Sequence, residues 1–514
     1  MKWILAAVGA LGVAALAAHF VAARVVDDEF VRERLVAEFG DDAVEVSIGE
    51  ATFSLLARRV GVADLVVSRA DRATFVADRI VATGLPLFGR ARGEPIEIGR
   101  LDVERPLLYF HPRRDAADAR RAPEDRDVDE ALRVDDLRIE RGTALAWRSA
   151  ASDGPRLVLV RDFEVEGRQA AFDRSGRLSG SRSGISWRTG PFRRVRSDGL
   201  TQVAADSMRA VGADSTFDLF GLRFEPTAID AEFFSELDVR EDRIRAVLPR
   251  VEARGFDFDE WSRDGLAARA VQIDSVDIDV LTNRRIPGGS ADPWLPHELV
   301  RSFDGRLDVD SVIVRGRIEY RDLPEREVTE AGTISFDDVE GRITGISNSA
   351  GAPPMLVDAT LRLFGAPAEI RIELPLDDER FAMRSRGRVG AIDLTRLNSL
   401  TIPLEGIEIQ GGRLEGLRYD FTVDGLIAGG TVWAAYRGLD VQMVDSRTGE
   451  GGLIADLKSF VANTFMVRGD NMPGEADDDG VRPGAVEHVA RADASFFTRL
   501  WAPVRSGLMS VTKQ

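Results

Sequence analysis

Cysteine is missing from all 514 residues. That excludes a disulfide framework, a thiolate metal site and a cysteine nucleophile, and it suits an oxidising compartment, where stray thiols would mispair. Histidine is nearly as scarce: only His19, His111, His297 and His488 occur. Lysine is confined to Lys2, Lys458 and Lys513, so almost all positive charge is arginine. A net charge of −18 argues against nucleic acid as a partner, because binding it requires a basic surface that displaces counterions. Also absent are Gly-x-Ser-x-Gly, the P-loop, His-Glu-x-x-His and the dinucleotide-binding fingerprint. Glu475-x-Asp477-x-Asp479-Gly480 mimics the start of a calcium loop, but its twelfth position is Val486 where a glutamate is required. His111, beside Pro112 and Arg113, reads as an exposed strand-end residue. No catalytic, cofactor or metal residue is assigned, and the chain is expected not to be an enzyme.

What the chain does have begins with a mostly apolar run from Trp3 to Ala23, preceded by Lys2 and followed by Arg24, Asp27, Asp28 and Glu29. About 20 residues at 1.5 Å rise span a hydrocarbon core. Residues 1–26 therefore read as a transmembrane anchor with the N-terminus in the cytoplasm and the bulk of the chain in the periplasm. The competing reading is a cleaved signal peptide, with Ala15-Leu16-Ala17 as the processing site. A short helix is expected next, capped by Asp27 or Asp28, with Val31, Leu35 and Phe39 on one face.

From Val44 the period changes to two, and the string apolar-x-apolar-x-x-apolar-x-apolar recurs. It appears at Val46-Ile48-Ala51-Phe53, Ile96-Ile98-Leu101-Val103, Leu132-Val134-Leu137-Ile139, Val271-Ile273-Val276-Ile278 and Leu307-Val309-Val312-Val314. The second and third copies start 36 residues apart, as do the fourth and fifth, which suggests related strand-pair units. The two-residue step should turn the chain over unless a bulge restores the face, so each copy reads as a kinked strand or as two strands meeting at a corner. Further strands are expected over Leu157–Glu166, Thr216–Phe224, Arg243–Ala253, Leu356–Leu363, Glu369–Leu374, Arg413–Val423 and Gly430–Met443, with helical turns at Phe258–Arg263 and Pro296–Phe303. Arg113–Asp129 reads as an exposed loop and Pro473–Pro483 as an acidic linker.

The final segment, from about Val489 to Val511, predicts an amphipathic helix of roughly six turns. Phe496, Phe497, Leu500, Trp501, Val504 and Leu508 fall on one face, with Arg499 and Arg505 elsewhere. One reading is a cap over an open sheet end; the other is an interfacial or partner-docking helix. The expected division is thus an anchor (1–26), an N-terminal helix with the first strand units (27–130), a β-rich region (131–470) and an acidic linker with the C-terminal helix (471–514).

The order of anchor, helix and strand units such as Ile96-Glu-Ile-Gly-Arg-Leu-Asp-Val-Glu-Arg-Pro106-Leu-Leu-Tyr109 resembles the AsmA-like superfamily. Phe75–Ile80 with Leu85–Phe88 is similar to the family's opening, Ile273–Asn283 and Leu307–Arg321 to its middle, and Leu394–Asn398, Gly411–Leu414 and Gly430–Leu439 to its C-terminal part. The resemblance covers most of the chain through degenerate motifs. It implies a mainly β fold, an elongated, curled antiparallel sheet forming an open or taco-like groove with an N-terminal transmembrane helix and few short helices. It further implies an inner-membrane protein involved in phospholipid transport between membranes or in outer-membrane assembly, whose partners are membrane, phospholipid or other lipid, and envelope-assembly proteins. The family offers no catalytic residues to carry over.

Physically, a long sheet with one apolar face must bury that face on something. The groove candidates are Val276, Ile278, Val312, Val314 and Ile318. The rival expectations are a structural or assembly scaffold with a closed, dry core, and an exported polysaccharide-active enzyme using paired carboxylates, though no pair stands out.

Overall fold

The computed structural model describes residues 44–54, 56–69, 73–85, 95–110, 130–147, 156–173, 178–179, 184–196, 199–262, 265–288, 295–303, 305–325, 330–443, 469–473, 481–492 and 494–512. The proposed anchor, the helix after it and the Arg113–Asp129 loop lie outside these residues. Among the described residues, no helix is long and apolar enough to cross a membrane. The fold is mainly β. Its contacts define two units, Met1–Leu222 with Arg254–Arg263, and Arg223–Ala253 with Asp264–Gln514.

The first unit runs through β1 (Val44–Ser47), β2 (Glu50–Ser54), β3 (Arg59–Arg69), β4 (Ala73–Thr83), β5 (Ile96–Glu104), β6 (Leu107–Phe110), β7 (Glu130–Trp147) and β8 (Arg156–Asp173). Shorter strands follow: β9 (Leu178–Ser179), β10 (Ile185–Thr189), β11 (Phe192–Val195), β12 (Thr201–Ala205) and β13 (Ser207–Val211), before β14 (Thr216–Pro226), which crosses the division at Leu222. Helix α1 (Asp230–Ser235) and β15 (Arg243–Arg254) come next, then α2 (Phe258–Ser262). β5 lies parallel to β7, with Ile96 opposite Leu132, Ile98 opposite Val134, Leu101 opposite Leu137 and Val103 opposite Ile139. The second and third copies of the recurring string therefore stand side by side, position for position. All eight side chains are buried, and the middle step leaves Asp135 and Asp136 exposed. The β5–β7 register runs through this step without a shift, and the apolar positions on both sides of it are buried. Phe172 and Val134 are fully buried in the resulting core.

The second unit continues with β16 (Leu266–Asn283), α3 (Pro296–Arg301), β17 (Leu307–Leu323), β18 (Gly332–Ser347), β19 (Met355–Leu363), β20 (Ala366–Leu374), β21 (Ala382–Val389) and β22 (Ile392–Asp393). A 3-10 turn (Leu394–Leu397) leads into α4 (Asn398–Glu405), β23 (Ile407–Asp424), β24 (Ile427–Met443), β25 (Pro483–Val489) and α5 (Phe496–Thr512). From β17 to β21 each strand pairs antiparallel with the next; β21 then pairs with β23, and the ladder runs on through β24 to β25.

The expected all-antiparallel sheet needs correction: β16 and β17 are parallel, as are β5 and β7. A parallel pair requires a crossover of about a dozen residues or more. The stretch containing α3 between β16 and β17 is one such link, and the alternating pattern within each strand carries no trace of it. A second correction concerns spacing. Val271 stands opposite Val312, and Leu307 opposite Leu266, so the fourth and fifth copies are not aligned at their 36-residue interval.

The C-terminal helix is also shorter than expected. Pro483–Val489 is a strand, and α5 begins at Phe496. Val504 is buried; Phe496, Phe497, Leu500 and Leu508 are half-buried, and Trp501 is exposed. The fully buried stripe is Arg499, Pro503, Val504, Gly507 and Val511. Small residues let the helix approach the sheet: a Cβ on Gly507 would meet Val432 Cγ2 at 2.4 Å. Arg499 points inward, contrary to its expected placement. It donates to the carbonyls of Ala494 (3.0 Å), Gly425 (2.9 Å) and Ala492 (3.1 Å), with its guanidinium 5.2 Å from the Phe381 ring centroid. Burial lowers its pKa below the ordinary value, and the three carbonyls supply the partners a buried cation needs.

Candidate functional site

All five groove candidates sit on β16 and β17, and the parallel register brings them together. Across the pair, Val271 faces Val312, Ile273 faces Val314, Val276 faces Gly316 and Ile278 faces Ile318. On β17 these positions alternate without interruption, so they share one face. On β16 the two-residue step between Ile273 and Val276 is taken up at Ser275, whose φ of 59° marks the bulge. The same face continues onto β18, where Ile343 lies opposite Val312 and Phe336 opposite Ile318, with a second bulge at Asp338 (φ 48°). The result is an apolar strip that spans three strands.

Burial distinguishes this strip from the core. Val276 is buried, but Ile278, Val312, Val314 and Ile318 are only half-buried. None of the five belongs to either of the two buried hydrophobic clusters. Complete burial of such side chains is worth about 1.5–3 kcal/mol each, and the four partly covered ones forgo a fraction of it. Scattered exposed aliphatics are ordinary on protein surfaces, whereas a contiguous patch in register is informative.

The strip is closed at one end. Tyr320 and Asp322 continue its face on β17. The Tyr320 hydroxyl lies 2.9 Å from Thr282 Oγ1, which donates to Asp242 at 2.5 Å, while Arg284 grips Asp322 through two nitrogens. Burial pushes the Tyr320 hydroxyl and the Asp242 and Asp322 carboxyls above their ordinary pKa values. Above this polar knot sits the start of α5: the Phe497 ring stacks on Tyr320 at 4.8 Å and meets Phe336 edge-on at 5.9 Å. Helix α4 covers the β18 end, with Ser399 donating to the Thr333 carbonyl. On the opposite face, burial alone would raise the Asp279 carboxyl, but hydrogen bonds from Arg321 and Arg243 outweigh it and hold it below the usual range.

The strip residues follow from their alternation, but the knot that ends it does not: Tyr320 simply continues the alternation after Ile318, and Thr282 and Asp322 carry no reading of their own. The tight repetition of polar residues near the strand ends, Asp-Val-Leu-Thr-Asn on β16 and Glu-Tyr-Arg-Asp-Leu on β17, is the signal that marked it. Among the described residues, no cluster of side chains suited to a metal ion occurs. No family model matches the chain, and no curated protein matches it.

Proposed function

We propose that this chain is a non-catalytic, lipid-handling protein of the cell envelope, tethered at the inner membrane by residues 1–26 and related in kind to the AsmA-like proteins it resembles in sequence. The observation that carries this reading is the half-covered strip of Ile278, Val312, Val314 and Ile318. An aliphatic strip that is only partly covered and polar at one end matches the chemistry of an acyl chain, which gains about 0.8 kcal/mol for each methylene it buries.

A second reading, a structural or assembly scaffold, draws support from the first unit. There Ile98, Leu101, Val134 and Phe172 are essentially inaccessible, and that core leaves no room for cargo. The two readings separate on lipid content. The full chain, purified in mild detergent and extracted, is expected to yield bound phospholipid, and the double variant Ile278→Asn with Ile318→Asn is expected to lose most of it while keeping its circular dichroism. A stable wild-type protein free of lipid would instead favour the scaffold.

A further inference from the structure

The face of the second unit opposite the apolar strip holds an open trough of about 770 Å³, floored by strands from β17 to β24. Six arginines line it (Arg315, Arg342, Arg371, Arg386, Arg388 and Arg418) against four carboxylates, Glu340, Asp358, Glu369 and Asp420. This excess of cations stands out in a chain of net charge −18.

Every carboxylate in the trough is already engaged. Arg315 pairs with Glu340 at 3.1 Å, Arg371 with Asp358 at 2.9 Å, Arg388 with Glu369 at 2.6 Å, and Arg384, from the trough's rim, with Asp420 at 2.9 Å. Arg342, Arg386 and Arg418 are left without a carboxylate partner among the described residues. Arg418 lies over the Trp433 ring instead, 4.4 Å from its centroid. The strand register then sets like charges against each other: Arg371 stands directly opposite Arg386, and Arg388 directly opposite Arg418. Directly opposed like charges destabilise a sheet. Here two such pairs sit on three neighbouring strands, β20, β21 and β23, with neighbouring strands about 4.8 Å apart.

We propose that this trough binds a phosphate-bearing ligand, held by Arg386 and Arg418 with Arg371 and Arg388 beside them. Guanidinium groups match phosphate oxygens as forked, charge-assisted donors. A bound anion turns the opposed arginines from a repulsive array into a shared clamp. Trp433, half-exposed beside Arg418, gives the ligand an apolar edge. An extended polyanion such as a nucleic acid is disfavoured by the chain's overall negative field, whereas a compact phosphate group needs only the local one. The proposal rests on the opposite face from the lipid strip and stands or falls apart from it.

The test is calorimetric titration of the full chain with pyrophosphate, and with vesicles of phosphatidylglycerol or phosphatidylcholine, at matched ionic strength set with sodium chloride. The comparison is the double variant Arg386→Gln with Arg418→Gln; both positions are exposed, so folding should survive. The wild type is expected to bind pyrophosphate and the variant at least about tenfold more weakly, as two lost charge-assisted bonds imply. Thermal melts supply a second reading: pyrophosphate should raise the wild-type melting temperature and leave the variant's unchanged. If phosphatidylglycerol vesicles bind in the same variant-sensitive way, the ligand's source is a lipid headgroup; if pyrophosphate alone does, it is a phosphorylated solute. Wild type and variant binding pyrophosphate equally, a wild type that binds neither probe, or equal response to added chloride would overturn the proposal, as would tighter binding of a single-stranded oligonucleotide than of either probe.

Discussion

At Gly316 the backbone of β17 comes so close to β16 that an added Cβ would lie 2.0 Å from the Val276 carbonyl oxygen and 2.6 Å from its nitrogen. Neither backbone atom can move without opening the parallel ladder. Gly316→Ala is therefore expected to destabilise the fold by about 2–4 kcal/mol, the range of severe steric or backbone disruption. Gly425, also at positive φ (61°), meets nothing within 4 Å. Gly425→Ala should lose only the conformational cost of about 1–2 kcal/mol, and denaturant melts of the two variants will show whether the close approach at the bulge sets the difference. His297 offers a pH test. It is buried against Phe381, ring centroids 5.5 Å apart, and burial pushes its pKa below the ordinary 6.5, opposed by Glu298 and reinforced by Arg301 and Arg499. The folded state thus holds the proton less tightly than the unfolded chain. Its contribution to stability is complete above pH 6.5 and is lost as pH falls through the folded value. His297→Leu is expected to flatten the decline of melting temperature just below pH 6.5; an unchanged decline would show that other groups, among them half-buried His488, carry it.

At the scale of elements, the last strand and helix show what alternation can and cannot reveal. The exposed edge of β25 is covered by α5 through two serines one turn apart. Glu487 N–H donates to Ser506 Oγ at 3.2 Å, Ser506 Oγ donates back to the Glu487 carbonyl at 2.7 Å, and Ala485 N–H donates to Ser510 Oγ at 3.1 Å. A helix face thereby substitutes for a missing neighbouring strand, which is what an unpaired edge requires. Replacing both serines by alanine is expected to cost about 1–3 kcal/mol, and to speed amide hydrogen exchange at Ala485 and Glu487 ahead of the rest of β25. The helix itself was legible from the spacing of Phe496, Leu500, Val504 and Leu508, but its buried stripe was not. Trp501 is the larger apolar side chain, yet a small residue such as Gly507 permits close packing and Arg499 can be held by carbonyls, while the indole is exposed. Cap serines read as ordinary polar positions until the edge they serve is known.

At the scale of the whole chain, the β-rich character, most strand positions and the recurring kinked string could be read from alternation, because a half-buried strand must obey it. Pairing partners could not. The parallel neighbours β5 with β7 and β16 with β17 depend on how the intervening links run, and alternation is the same for either direction. The strip residues were legible for the same reason as the strands, whereas the charged trough was not, since its arginines look like solvated positions until register sets Arg371 against Arg386. On the proposed reading, the apolar face of β16 and β17 takes acyl chains. Photo-crosslinking of the full chain with a phospholipid carrying a diazirine in its acyl tail, followed by peptide mapping, tests it most directly. Adducts concentrated on Ile278, Val312, Val314 and Ile318, and competed by unlabelled phospholipid, are the expected result; adducts absent from β16 and β17, or spread evenly over the surface, would contradict it.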